Sequence, residues 1–166
     1  FLKFWRIPLN DSRRGREGIY FKRKRKINNN IIQFIFLDTR YFRSPLKPTD
    51  EKWLPTKEVY IPDDDPSKTY LGERQWKWLN NSMKEEADIR ILVSSIQVIA
   101  EGHGYEKWGN LPLEKLRFLI FLIIFSNSLF VISFQYDGCL EKSASELISI
   151  CSIVSFRGCL YWQPLN

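Results

Sequence analysis

The sequence predicts an α/β layered domain, and three observations carry that prediction. They are the buried-strand run "IIQFIFL" at 31–37, the helical spacing of Trp76, Leu79 and Met83, and an alternation of strand and helix that continues to "SLFVIS". The run at 31–37 is β-branched and aromatic with one interruption, the pattern of a central strand covered on both faces. Apolar residues at i, i+3 and i+7 place one stripe on a helix, and Glu73 falls in the first turn, where a carboxylate meets the positive end of the helix dipole.

Between these two elements, residues 44–70 hold Pro45, Pro48, Pro55, Pro62 and Pro66 and the acidic run Asp63, Asp64 and Asp65. Five prolines remove donors and restrict the preceding residues, so a long surface loop is expected there. After the helix, Ile89 to Val98 reads as a second strand. The Gly-rich loop "EGHGYEKWGN" follows, then Pro112 opens a second helix to about Phe125, and "SLFVIS" gives a third strand. The order strand, helix, strand, helix, strand excludes an all-α or all-β reading.

At 166 residues with 44% hydrophobic composition, the chain is long enough to bury a core as one domain. It opens on Phe1 in mid-pattern and reads as a piece of something longer. The formal charge of +6 is local, concentrated in "DSRRGREG" and "FKRKRK". A nucleic-acid or localisation reading of Lys22–Lys26 is set against a solvated turn feeding the strand that begins at Ile31, and the turn is favoured. The apolar stretch from Phe118 to Phe134 is 17 residues, short for a membrane span, and Ser126, Asn127 and Ser128 interrupt it. A buried helix, a polar turn and a strand are expected instead. Cys139, Cys151 and Cys159 form no Cys-x-x-Cys pair and have no neighbouring His, which speaks against zinc.

No P-loop, dinucleotide glycine fingerprint, Gly-x-Ser-x-Gly elbow or His-Glu-x-x-His pair occurs. What remains is charge at strand ends: Asp38, Arg40 and Arg43 after the first strand, the single histidine His103 in its glycine loop, and Asp137 after the third strand. Arg forks onto phosphate oxygens, and carboxylate or imidazole holds a cation, so such rims suit anion or metal chemistry. On residue type alone, Asp38 and Arg40 fit a direct role and a loop brace equally.

Five blocks in order, "REGIY", "FIFLDTRYFRSPL", "YLGERQWKWL", "ILVSSIQV" and "EKWGNLP", resemble the alkaline phosphatase D (PhoD-like) family of metallophosphoesterases over about residues 1–113. The resemblance implies part of a four-layer α/β/β/α metallophosphatase fold and hydrolysis of phosphomonoesters or phosphodiesters. It also implies iron and calcium in the full-length family, and a place for Asp38 and Arg40 beside the catalytic crevice. His103 is the third catalytic candidate on its own account, as the single histidine in its glycine loop.

Two departures qualify what this chain does alone. The family's Asp-rich metal-binding segments lie N-terminal to the first matching block, and its Gly-Asp-x-His block is replaced here by Phe134, Gln135, Tyr136 and Asp137. The expectation is therefore a fragment of a phosphoester hydrolase with a diverged end, inactive and without bound metal as an isolated chain. Neither a nucleic-acid partner nor a membrane span is expected. The rival is a small basic protein that binds nucleic acid or a membrane without catalysis.

Overall fold

The computed structural model describes residues 1–49, 58–99, 101, 104–125, 129–133 and 152–155. They form a mixed five-stranded sheet in the order β1-β2-β3-β4-β5. The strands are β1 (Phe21–Ile27), β2 (Asn30–Phe36), β3 (Ile89–Ser94), β4 (Leu129–Ser133) and β5 (Ser152–Ser155). β2, β3 and β4 run parallel, and the two outer strands are antiparallel to their neighbours. Helix α1 (Gly72–Met83) joins β2 to β3 and α2 (Pro112–Ile124) joins β3 to β4. Such crossovers are what parallel neighbours require.

Register decides which side chains meet the helices. Ile35, Leu92 and Val131 stand opposite one another across the three parallel strands and are at most 2% exposed. They share one cluster with Trp76, Leu79 and Met83 of α1 and Phe118 and Leu122 of α2. The helices touch through the Trp76 indole, edge-on to Phe118 at 6.1 Å and to Phe121 at 5.6 Å. The alternate residues, Ile32, Phe34 and Phe36 on β2 and Ile89, Ile91 and Val93 on β3, point to the other face and are only half-buried. The sheet therefore has helices on one face and an apolar second face.

The start of α1 is built by tertiary contacts. Glu114, in the first turn of α2, is buried, and its Oε1 accepts from the Thr69 hydroxyl at 2.7 Å, the Leu71 N–H at 3.2 Å and the Trp76 indole N–H at 3.0 Å. Thr69 Oγ1 in turn accepts from the Gly72 N–H at 2.9 Å. These bonds satisfy orphan donors of α1, whose N-cap Leu71 has no side-chain acceptor. Pro112 starts α2, as its missing N–H and fixed φ allow.

The alternation from β2 to β4 appears as expected, with three differences. "FKRKRK" is a strand and not a turn: β1 pairs with β2 through a two-residue connection, Asn28–Asn29, with Asn28 at φ 54°. Asn tolerates the left-handed region that tight hairpins demand. β3 stops at Ser94 rather than Val98, because Ser94 Oγ donates to the Ile96 carbonyl at 2.8 Å and turns the chain. β5 has no counterpart among the elements the sequence predicts. The stretch 118–134 is not one helix, since α2 ends at Ile124 and β4 begins at Leu129; the expected turn at 126–128 lies outside the described residues. Among the described residues no helix is long and apolar enough to cross a membrane. The three cysteines and Gln135 and Asp137 also lie outside the described residues.

Candidate functional site

The site is built where the parallel strands β2 and β3 end. Leu37 extends the pairing by donating its N–H to the Val93 carbonyl at 2.9 Å, and the next residues, Asp38 and Thr39, are both buried. Thr39 and Ser95 share a hydroxyl hydrogen bond of 2.5 Å, which ties the two strand ends together. Carboxyl ends of parallel strands are where open α/β sheets place their ligands.

Asp38 spends its carboxylate on the backbone. Oδ2 accepts from the Ile19 N–H at 2.8 Å, and Oδ1 accepts from the N–H groups of Arg40 and Tyr41, each at 2.9 Å. This is an Asx-type turn in which a side chain replaces main-chain partners. The contact between Asp38 and Arg40 thus runs through the Arg40 main chain, and the guanidinium is turned elsewhere. Its Nη1 lies 2.6 Å from Glu106 Oε2, with the Arg40 side chain 60% exposed and that of Glu106 14%. Arg43 donates to the other oxygen of the same carboxylate, Oε1.

Loop 104–110 brings Glu106 to this rim. The neighbouring Lys107 bridges to Gln97, the Trp108 N–H donates to the Gln97 carbonyl at 2.9 Å, and the Tyr70 hydroxyl donates to the Lys107 carbonyl at 2.6 Å. Tyr70 is fully buried, and burial followed by the neighbouring Glu106 charge pushes its phenol above the usual range. It stays a neutral donor. Beneath, the Trp108 indole stacks on Phe118 at 4.2 Å and donates to Ser94 Oγ at 3.1 Å.

The loop that carries the two arginines is clamped from below. Phe42 lies between Gly18 (φ 76°) and Gly72 (φ 67°), where an added Cβ would come within 2.8 Å of Phe42 Cε2 at the first and 3.0 Å of Phe42 Cβ at the second. Glycine is needed twice over at both positions, for the backbone region and for the close approach.

Of the residues expected at the site, Asp38 and Arg40 fall within one turn of each other at the strand ends, while His103 lies outside the described residues. Glu106 and Arg43 join them. In the sequence Glu106 stands out only as part of a matching block, because a contact across a separation of 63 residues leaves no local signal. The donor set does not fit a metal: Asp38 and Glu106 are taken up by N–H groups and guanidinium, and no cluster of three or more His, Cys, Asp or Glu is arranged for a metal ion among the described residues. A groove of about 340 Å³ between α1 and α2, lined by Glu73, Trp76, Lys77, Arg117 and Phe121, belongs to the helical face and not to this rim.

No protein-family model matches the chain, and no solved structure matches it. Among curated proteins it is similar to guanylate cyclase beta of Plasmodium falciparum, 34% identical over 79 residues. That match covers 46% of this chain and spans 2% of the length of the relative.

Proposed function

We propose that the chain is part of a PhoD-like phosphoester hydrolase, with Arg40 and Arg43 as the cationic rim of its crevice, and that it does not hydrolyse phosphoesters alone. The observation that carries this reading is the convergence of the Asp38–Arg43 turn and Glu106 at the carboxyl ends of parallel β2 and β3. Two of the five resembling blocks, "FIFLDTRYFRSPL" and "EKWGNLP", supply the parts of that convergence, which is what blocks of one site would do. Arginine at such a rim neutralises charge on phosphoryl oxygens.

The four-layer architecture belongs to the same proposal. An α/β/β/α sandwich needs a sheet with helices outside and an apolar inner face, and the face carrying Phe34, Phe36, Ile91 and Val93 is of that kind. Iron and calcium are implied by the resemblance for the full-length family. The described residues hold no cluster of ligands for either metal. The similarity to the cyclase, confined to 2% of that protein, gives no ground for carrying cyclisation to this chain.

A basic nucleic-acid-binding protein is the weaker reading, since three of the five basic side chains of β1 have local ionic partners. Lys22 and Lys24 meet Glu85, and Arg23 lies 3.7 Å from Asp11. The gene sequence upstream of Phe1 tests the proposal. An Asp-rich metallophosphatase half in the same reading frame is expected; a start codon directly before Phe1, with a second apolar span elsewhere, would favour the rival.

A further inference from the structure

Two guanidinium groups on one carboxylate leave the rim with a net charge of +1, and that charge sits on an exposed side chain. Arg40 and Arg43 hold one oxygen of Glu106 each, so the carboxylate fills a two-oxygen fork. We propose that Glu106 occupies the place of a phosphate group between Arg40 and Arg43, and that the rim binds phosphate when the Glu106 side chain swings aside. The choice of phosphate rests on the phosphoester reading, while the binding itself needs no turnover.

Three features make the fork a place that outlasts its present occupant. Asp38 fixes the N–H groups of Arg40 and Tyr41, and Phe42 is wedged between Gly18 and Gly72, so the arginine loop is held independently of Glu106. Glu106 comes from a different loop and enters only through its side chain, so rotation about its own methylenes suffices to vacate the fork. A phosphate group presents oxygens in pairs and carries up to two charges, against one on the carboxylate it displaces. Glu106 thereby weakens phosphate binding twice, by competing for the fork and by repelling the incoming anion.

The test is a titration of the whole chain with inorganic phosphate at constant ionic strength, chloride making up the balance, read on the 15N resonances of the arginine side chains. Glu106→Gln should bind phosphate about tenfold more tightly than the unmodified chain. Adding Arg40→Ala to that variant should abolish the gain. Equal affinity with and without Glu106→Gln, or a gain that survives Arg40→Ala, would overturn the proposal. If Glu106→Gln does not fold, the unmodified chain decides: phosphate must shift the Arg40 and Arg43 resonances where equimolar chloride does not, and unmoved resonances refute the site. Phosphate binding here, combined with an upstream gene sequence that holds no metallophosphatase half, would sink the hydrolase reading and leave the anion site standing.

Discussion

Gln75 on α1 grips the Asp38 peptide from both sides: its Oε1 accepts from the Asp38 N–H at 2.8 Å, and its Nε2 donates to the Asp38 carbonyl at 2.8 Å. The carboxamide behaves as a one-residue strand neighbour, closing the main-chain bonds of β2 where the chain leaves the sheet. All these atoms are buried, so each lost partner carries a desolvation penalty of about 1–3 kcal/mol. Gln75→Leu should destabilise the fold by about 2–4 kcal/mol on that basis, read by chemical denaturation. A loss within about 0.5 kcal/mol, the range of ordinary surface substitutions, would show that water replaces the carboxamide.

Glu114 makes the corresponding junction between the helices. Glu114→Ala strips the acceptor from the Leu71 N–H and the buried Trp76 indole N–H, and should cost about 2–5 kcal/mol. Glu114→Gln keeps a carbonyl oxygen for the same donors and should recover most of that loss. If the two variants are equally unstable, charge and not acceptor geometry holds the α1 start.

Gly72→Ala should cost on the order of 1–2 kcal/mol from the left-handed backbone alone. The Phe42 contact at 3.0 Å adds to it. Phe42→Ala keeps the Cβ but removes the ring carbons at 3.1 and 3.3 Å, so in the double variant with Gly72→Ala the share of the cost due to the ring should vanish, while the backbone share and the Cβ contact remain. Full additivity would mean that the Phe42 ring does not press on Gly72.

Glu85 and Glu73 set a pH dependence. The hydrogen bond from Lys22 holds the Glu85 carboxyl below its usual value, and that from Arg117 does the same for Glu73. A carboxyl depressed in the folded state adds stability above its unfolded value, about 4.3, and that stability is lost as pH falls through the folded value. Both pairs are solvent-facing, so the gain is at most about 1 kcal/mol each. The stability difference between the unmodified chain and Glu85→Gln should be present at neutral pH, shrink in high salt and close below about pH 4. A difference that widens in acid would contradict this assignment.

What the sequence made legible follows from how local each signal is. The run at 31–37 and the spacing of Trp76, Leu79 and Met83 record burial on neighbouring turns and pleats, and both elements formed where periodicity put them. β1 was missed because Lys and Arg fill it. Its strand character comes from pairing with β2, from the Phe21 ring stacked on Phe36 at 4.5 Å, and from lysines that suit an edge. The Asp38 turn was visible as residue types, but nothing local shows that its carboxylate serves three main-chain donors. Glu106 and Gln75 reach their partners across 63 and 37 residues, beyond any pattern in a window.

The central claim is that Arg40 acts on a ligand and not on the fold. Because Asp38 binds the Arg40 N–H, which alanine keeps, the structure separates the two roles more sharply than residue types do. The decisive measurement is kcat, kcat/KM and thermal unfolding on one preparation of a full-length PhoD-like phosphatase carrying the same Asp-Thr-Arg block, with that arginine replaced by alanine. The account predicts a loss on the order of 10²-fold in both kcat and kcat/KM, as for removal of one charge-stabilising donor, with the melting temperature nearly unchanged. A lowered melting temperature with normal turnover in the folded fraction would contradict it and assign Arg40 to the scaffold.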